Sequence, residues 1–130
     1  MPLVRFDVLK GHSTQYLSDM LDGAHRAIVH SFGVPPRDRY QIVTEHEPTH
    51  LRVEDTGLGI ERTSKVVFVS VTSRPRSDEA KVKFYEDLCK ELKAACGIES
   101  TDVVVNFVIN SDADWSFGLG RAQFLTGELA

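Results

Sequence analysis

The chain has 130 residues, 42% of them hydrophobic and 26% charged, and this length and balance predict one globular domain with one core. A net charge of −4 without any Lys/Arg-rich block argues against a nucleic-acid partner and against binding to an anionic membrane surface. No apolar run approaches the ~20 residues of a membrane span, and the first residues lack the apolar stretch of a signal peptide, so we expect a cytoplasmic protein.

The start of the chain, where Pro2 follows Met1, is the first candidate for chemistry. Removal of the methionine would leave Pro2 with a free secondary amine. Such an amine can act as a proton donor, as a base or as a nucleophile toward a carbonyl. The simpler interpretation is that a Met-Pro start has no function, so the rest of the chain has to decide between the two.

Residues 3–9 predict a strand, and Ser13 or Thr14 can cap a helix that follows it. Gly33 is the expected end of this helix, and a turn at 35–38 leads into a second strand predicted over 39–45. Apolar residues recur along the helix at three- and four-residue steps and predict one buried stripe: Leu17, Met20, Leu21, Ala24, Ile28 and Phe32.

The same order of elements returns after residue 65. The apolar run 66–71 predicts a central strand, Ser77 can cap a second helix, Gly97 can end it, and 103–108 predict the last long strand. The expected buried stripe of this helix is Val82, Tyr85, Leu88, Cys89, Leu92 and Cys96. Its two cysteines would lie about 10 Å apart along the helix axis, too far for a disulfide, so we expect both to be buried and reduced.

The two halves align without a gap at an offset of 64 positions, because Ser77 matches Ser13 and Gly97 matches Gly33. This predicts a duplicated β-α-β unit, with pseudo-repeats at about 2–47 and 65–110 inside a single domain of residues 1–130. The expected fold class is α+β, with four main strands in one sheet and two helices on one face. A short strand is also expected at residues 51–54, and the aromatic tail after residue 110 is expected to be a loop or hairpin against the body or a neighbouring subunit.

Two arginines, Arg74 and Arg76, stand where the second-half strand ends and its helix begins. The N-terminus of a helix carries partial positive charge, so two cations there are unfavourable unless an anion lies between them. Arginine suits a bidentate grip on a carboxylate, and Pro75 stiffens the spacing. The alternative is that both side chains are solvated or pair with acids such as Asp78 and Glu79.

Asp38 is a further polar candidate, because it ends the Pro-Pro turn and could orient a water or tune a nearby amine. Its counterpart at the offset of 64, Asp102, favours the plainer interpretation that both are turn residues.

Residues 46–50, HEPTH, match the H-E-x-x-H zinc string, but we reject this motif. The motif requires a helix, and Pro48 inside it pushes Glu47 into extended backbone. The GLG triplets at 57–59 and 118–120 do not complete a dinucleotide-binding motif either. We therefore expect neither a metal nor a cofactor.

Four stretches, together with the Pro2 start and the duplicated unit, resemble the tautomerase superfamily, and within it the malonate semialdehyde decarboxylases over essentially the whole length. These stretches are DRYQIV at 38–43, EDTGLG at 54–59, SRPR at 73–76 and DWSFG at 114–118. The resemblance implies a homotrimer, with pockets near the subunit boundaries and Pro2 at the base of each.

The resemblance also implies roles for the candidate residues. Pro2 would be the catalytic amine, and Asp38, Arg74 and Arg76 match the polar residues of the site. A hydrophobic wall around the reacting carboxylate would consist of Trp115, Phe117, Phe124 and Leu129. The implied reaction is loss of carbon dioxide from malonate semialdehyde, a small oxo acid, with protonated Pro2 and an arginine polarising its carbonyl.

Three functions stay open on the sequence alone. One is this decarboxylase, in which Pro2 acts as a general acid or forms an iminium ion. The second is a promiscuous tautomerase or hydratase of 2-oxo acids that uses the same amine as a base. The third is a non-enzymatic oligomeric binding protein, which a retained Met1 would favour because an amide nitrogen cannot act as acid, base or nucleophile.

Overall fold

A computed structural model describes all 130 residues. The predicted four strands and two long helices are confirmed, with their ends displaced by at most one or two residues. In chain order the elements are β1 Leu3–Leu9, α1 Thr14–Phe32, β2 Tyr40–His46, β3 Val67–Ser73, α2 Asp78–Cys96, β4 Val103–Ile109 and α3 Gln123–Thr126. Short 3-10 turns span Ser100–Asp102 and Asp112–Asp114.

The four strands form one sheet in the order β2-β1-β3-β4. Strands β1 and β2 are parallel, β3 and β4 are parallel, and β1 meets β3 in antiparallel register. Each half is therefore a β-α-β unit, and the two units join through their first strands. The α+β fold class is confirmed, and β3 and α2 begin and end 64 positions after β1 and α1.

The core lies between one face of the sheet and the two long helices. Alternate residues of the central strands face the helices and are buried, because side chains in a strand point to opposite faces in turn. The strands contribute Val4, Phe6, Val8, Val67, Val69 and Val71, and the helices contribute Met20, Ala24, Ile28, Phe84, Leu88 and Leu92. The other face of the sheet carries no long helix, and Ile42 and Val108 on that face are 40% and 58% exposed.

Both long helices begin and end as predicted. The hydroxyls of Ser13 and Ser77 each accept a hydrogen bond from the backbone N–H three residues further on. Gly33 and Gly97 end the helices with φ of 63° and 73°, the left-handed conformation that a β-carbon disfavours.

The buried stripe of α2 differs from the predicted one. Phe84, Leu88 and Leu92 are fully buried, whereas Val82 is 53% exposed and Tyr85 is 38% exposed. The buried residues follow each other at four-residue spacing, and the residues 64 positions earlier in α1 are buried as well. The 64-residue repeat therefore predicts the buried face of α2 correctly, whereas the spacing of apolar residues within α2 does not.

The two cysteines are free, as predicted, but both are only half-buried. Burial nevertheless raises the pKa of the Cys89 thiol and of the Cys96 thiol, so neither is activated as a nucleophile.

The predicted short strand at residues 51–54 is absent. This segment lies against the open face of the sheet, where Arg52 and Val53 border a hollow with Phe68 and Val104. No neighbouring strand runs beside it in the protomer, so its backbone has no ladder to join, and the carbonyl of Glu54 accepts hydrogen bonds from an arginine instead.

The tail after residue 110 is a folded loop rather than a hairpin. Ser111 and Asp114 form a reciprocal capping box around the 3-10 turn. The buried side chain of Gln123 accepts a hydrogen bond from the backbone N–H of Phe117 at 2.9 Å and donates one to the carbonyl of Gly118 at 2.8 Å. These contacts dock α3 against the loop that precedes it.

Candidate active site

The sheet topology brings the polar candidates to one end of the sheet. Strands β1 and β2 begin at this end, whereas β3 and β4 finish there. Pro2 therefore precedes β1, Asp38 lies just ahead of β2, and Arg74 directly follows β3. Extending the antiparallel register by one step from the Leu3–Thr72 pair places Pro2 beside the last residue of β3.

Asp38 and Arg74 border a cavity of about 330 Å³ at this end of the sheet, whereas Pro2 does not line it. Its polar side is formed by Met1, Asp38, Arg74 and Arg76. Its apolar side is formed by the end of α1, the turn after it and the last two residues of the chain: Phe32, Gly33, Val34, Pro35, Leu129 and Ala130. Four of the eight predicted site residues thus line one cavity.

The N-terminal amine at this cavity belongs to Met1. Burial and the charge of Arg76 lower the pKa of this amine to about 6, Asp38 raises it, and Arg74 lowers it further. Pro2 is buried, and its nitrogen is an amide that carries no proton. Removal of Met1 would move the amine to Pro2, one residue along the chain.

Asp38 is a buried carboxylic acid without a hydrogen-bond partner. Its exposed fraction is 5%, and neither carboxylate oxygen is bonded within the protomer. Burial raises the pKa of this carboxyl, although the positive charges of the N-terminus and Arg76 lower it. Native structures rarely leave a buried polar group unpaired without a functional reason.

Asp102 provides an internal control for Asp38. The backbone N–H of each residue donates to the carbonyl three residues earlier, at 2.9 Å in both cases. The carboxylate of Asp102, however, accepts hydrogen bonds from the backbone N–H of Thr63 at 2.7 Å and from the Thr63 hydroxyl. The predicted alternative of a plain turn residue therefore explains the backbone of Asp38 but not its carboxylate.

The guanidinium group of Arg74 is held on three sides. Nη1 donates to Asp112 Oδ1 at 3.0 Å, and Nη2 donates to the carbonyl oxygen of Ala130 at 3.2 Å. The Phe124 ring lies under the group, with its centroid 3.7 Å from Cζ. Nε is buried without a partner, and no acid at residues 78–79 pairs with this arginine.

Arg76 is the second cation of the cavity. Its Nε donates to the hydroxyl of Ser73 at 3.2 Å, and its Cζ lies 5.0 Å from the centroid of the Phe32 ring. No carboxylate pairs with it. The predicted alternative of pairing with an acid therefore holds for Arg74, whose partner is Asp112 rather than Asp78 or Glu79, but not for Arg76. Burial, followed by the charge of Arg74, lowers the pKa of Arg76.

The four predicted wall residues lie at different distances from the cavity. Leu129 lines it, and Phe124 contacts Arg74. Phe117 packs edge-on against Phe124 at 5.4 Å, and Trp115 stacks on Phe117 at 5.4 Å. In the protomer Trp115 and Phe117 border a separate hollow beside the starts of β1 and β2.

Other charged motifs lie away from this cavity. Lys10, the counterpart of Arg74 in the first half, pairs with Glu47 at 2.9 Å at the opposite end of the sheet. His46 ends β2 and residues 48–50 form a turn, so the zinc string is not helical, as predicted. No group of three or more His, Cys, Asp and Glu side chains could hold a metal ion, and no helix combines the length and hydrophobicity needed to cross a membrane.

Comparison with known families agrees with this geometry. A family model described as "Tautomerase enzyme" matches residues 38–118, and a second model with the same description matches residues 2–60. The chain belongs to the tautomerase superfamily. It is 54% identical to "Probable tautomerase YrdN" of Bacillus subtilis (strain 168), over 99% of this chain and 100% of that protein.

The chain also resembles several solved structures. It superposes with a TM-score of 0.97 on a malonate semialdehyde decarboxylase studied for its decarboxylase and hydratase activities, at 53% identity over 98% of this chain and 99% of that one. A second malonate semialdehyde decarboxylase, inhibited by 3-bromopropiolate, gives 0.94 at 37% identity over 98% of each chain. A fused 4-OT trimer superposes with a TM-score of 0.78 at 21% identity, over 96% of this chain and 98% of that one, and shares the fold.

The sequence analysis does not predict the residues that hold the two arginines. Ser73 and Asp112 bond the two guanidinium groups, and Phe32 lies beside Arg76. Ser73 stands within the SRPR stretch and immediately precedes Arg74, so the motif itself contains a signal for it. Asp112 is 38 positions from Arg74, and nothing in local spacing connects the two.

Proposed function

We propose that this tautomerase-superfamily chain, after removal of Met1, decarboxylates malonate semialdehyde (3-oxopropanoate) to acetaldehyde and carbon dioxide without a cofactor. The observation that carries the proposal is the single cavity that gathers the N-terminus, Asp38, Arg74 and Arg76. The likeness to two malonate semialdehyde decarboxylases over nearly the whole chain supports the choice of substrate.

The substrate requires an electron sink for its reaction. Its carboxylate carbon is bonded to the CH₂ group next to an aldehyde, and breaking this C–C bond leaves an electron pair that the carbonyl must accept. Protonation of the carbonyl oxygen gives the enol of acetaldehyde, and transfer of a proton from oxygen to carbon completes the product. One proton is consumed for each carbon dioxide released.

Pro2 supplies that proton in our proposal. A protonated secondary amine beside the substrate carbonyl acts as a general acid and stabilises the developing negative charge. The alternative for the same amine is nucleophilic attack, in which an iminium ion with the substrate carbon becomes the electron sink. The acid role requires the protonated amine, and the nucleophilic role requires the free amine. The rate of decarboxylation therefore responds to pH in opposite directions in the two mechanisms.

The two arginines take different parts in this scheme. Arg76, whose guanidinium group has no carboxylate partner, polarises the substrate carbonyl in our proposal. Arg74 lies against the ring of Phe124 and anchors the carboxylate. An apolar surface beside that carboxylate disfavours its charge and favours departure as neutral carbon dioxide.

A second candidate function uses the same cavity. The buried, unpaired carboxylate of Asp38 can orient a water for addition to an unsaturated acid, which is hydratase chemistry, or move a proton in a 2-oxo acid tautomerisation. The solved relative at 53% identity was studied for both decarboxylase and hydratase activities, which favours this as a side activity of one site.

We also propose that the protein is a cytoplasmic homotrimer. The open face of the sheet leaves Ile42 and Val108 exposed, and a neighbouring subunit would cover them. A subunit boundary near Trp115 and Phe117 would place these two residues, which do not line the cavity of their own protomer, beside a neighbouring subunit. Two free thiols suit a reducing compartment.

The direct test of the proposed function is turnover of malonate semialdehyde by the Met1-free protein, followed as acetaldehyde formation. Arg74→Ala should abolish turnover, because the carboxylate anchor is lost. Arg74→Lys keeps the charge but not the planar, bidentate geometry, and should recover only a small part of the activity. Full activity in Arg74→Ala would contradict the proposal. So would a parent protein that does not turn over malonate semialdehyde but does turn over the enol of phenylpyruvate.

A further inference from the structure

We propose that Asp112 is a positioning residue that presents one edge of the Arg74 guanidinium group to the substrate carboxylate. This inference rests on the proposed function, in which Arg74 anchors that carboxylate. The starting observation is the ion pair between Arg74 Nη1 and Asp112 Oδ1 at 3.0 Å.

The hydrogen bonds of Arg74 divide its donors into two edges. Asp112 occupies Nη1, so this side is closed to substrate. Nη2 bonds the carbonyl of Ala130, a residue that lines the cavity, and Nε has no partner. A carboxylate that replaces the backbone oxygen of Ala130 would meet Nη2 and Nε together, which is a bidentate geometry that arginine favours.

Asp112 is itself fixed relative to Arg74. The backbone N–H of Asn110 donates to the carbonyl of Ser73 at 2.8 Å, which ties the start of the tail to the end of β3. The capping box of Ser111 and Asp114 then defines the turn that contains Asp112. The Phe124 ring under the guanidinium group fixes the plane of that group. The hydrogen bond to Asp112 fixes the rotation of the group within this plane.

The pair contributes little to folding by itself. The side chain of Asp112 is 51% exposed, and exposed ion pairs of this kind change stability only slightly. The capping box uses Ser111 and Asp114 rather than Asp112, so it remains intact when Asp112 is replaced. Variants of Asp112 should therefore fold normally, and their effect should be confined to Arg74.

Two physical effects of Asp112 act in opposite directions. Its charge competes with the substrate for Arg74, so its removal would tighten binding if charge were the main effect. Its hydrogen bond restricts Arg74 to one orientation, so its removal would weaken binding if orientation were the main effect. The geometry favours orientation, because Asp112 occupies the nitrogen that the bidentate edge does not use.

The test compares Asp112→Ala and Asp112→Asn with Glu47→Ala as a matched control. Glu47 is 54% exposed and paired with a lysine at 2.9 Å, but at the opposite end of the sheet. In Asp112→Ala we expect KM for malonate semialdehyde to rise about tenfold, which corresponds to about 1.4 kcal/mol, with kcat within about twofold of the parent. Asp112→Asn keeps a neutral acceptor at the same place and should rescue most of this loss.

A second readout does not depend on turnover. Binding of malonate, measured by calorimetry, should weaken by a similar factor in Asp112→Ala and remain unchanged in Glu47→Ala, with equal melting temperatures for all three proteins. Unchanged or tighter malonate binding in Asp112→Ala would overturn the positioning role, as would a fall in kcat with KM unchanged.

The two readouts separate this inference from the proposed function. If the parent protein binds malonate, Asp112→Ala weakens that binding and no protein releases acetaldehyde, then the decarboxylase proposal fails and the role of Asp112 stands. If the parent releases acetaldehyde and Asp112→Ala is indistinguishable from it, the role of Asp112 fails alone. A parent protein that neither binds malonate nor turns over would overturn both.

Discussion

At the scale of single residues, the site depends on the coupling between one amine and one carboxyl group. Burial and Arg76 lower the pKa of the N-terminal amine to about 6, while Asp38 raises it. The same burial raises the pKa of Asp38, and the amine lowers it again. Each group therefore favours the charged form of the other, and neither titrates independently.

The first prediction concerns the pKa of the amine in the Met1-free protein. Asp38 raises the pKa of the N-terminal amine when Met1 is present. We expect the same effect on the Pro2 amine, so Asp38→Asn should make that amine titrate at lower pH. If Pro2 acts as a general acid, the decline of activity at high pH should move to lower pH by the same amount. ¹⁵N NMR of the amine against pH measures the shift, with Glu47→Gln as a control that leaves it unchanged. A pKa that stays the same in Asp38→Asn would remove Asp38 from the neighbourhood of the amine.

The second prediction concerns stability and pH. Because the pKa of Asp38 is raised in the folded state, folded protein binds this proton more tightly than unfolded protein, and ionisation of Asp38 destabilises the fold as pH rises. Asp38→Asn should therefore increase the free energy of unfolding by about 1 kcal/mol near pH 7, because ionisation of Asp38 favours the unfolded chain in the parent.

Urea unfolding at several pH values tests the Asp38→Asn prediction. The gain should disappear below the ordinary carboxyl pKa of about 3.9, where Asp38 is protonated in both states. A variant less stable than the parent at pH 7 would show that Asp38 has a stabilising partner.

At the scale of elements, the 64-residue offset accounts for most of what the sequence predicts correctly. Local chemistry determines where each helix begins and ends. The sequence therefore predicts the caps correctly, which are Ser13 and Ser77 at the starts and Gly33 and Gly97 at the ends. Burial within α2 depends on which face of the helix meets the sheet. The apolar residues of α2 alone predict a buried face that includes Val82 and Tyr85, and this prediction is wrong.

The third prediction tests the corrected stripe of α2. Phe84→Ala should lower the free energy of unfolding by about 3–5 kcal/mol, because this fully buried ring packs against α1 and β4. Val82→Ala, on the exposed side of the same helix, should change it by less than about 0.5 kcal/mol. Equal losses in chemical denaturation of the two variants would support the stripe inferred from composition.

Contacts between distant elements lay beyond sequence reasoning. The ion pair of Arg74 with Asp112 joins the end of β3 to the tail, and the unpaired state of Asp38 becomes visible only when every neighbour is in place. Motif resemblance predicts Arg74 and Asp38 as site residues, but the partner of Arg74 and the lack of a partner for Asp38 are properties of the folded chain. The absent strand at 51–54 has the same cause, since pairing requires a neighbour that sequence periodicity does not supply.

At the scale of the whole molecule, the sheet has one covered and one open face. The fourth prediction is that the protein sediments as a trimer in which the open face is covered. Val108→Glu places a charge on this face and should shift the equilibrium toward monomer in analytical ultracentrifugation. Val82→Glu, at a similarly exposed valine on the outer side of α2, is the matched control and should remain trimeric. A parent protein that sediments as a monomer would contradict the assembly.

The account as a whole depends on the amine of Pro2, because the chain with Met1 attached has an amide nitrogen at that position. The most direct test is the rate of acetaldehyde formation by two preparations of the protein, with and without Met1, each verified by intact mass. We predict that the Met1-free protein turns over malonate semialdehyde and that the Met1-retaining protein is inactive, with equal melting temperatures for both. Equal activity in the two preparations would contradict a catalytic role for Pro2.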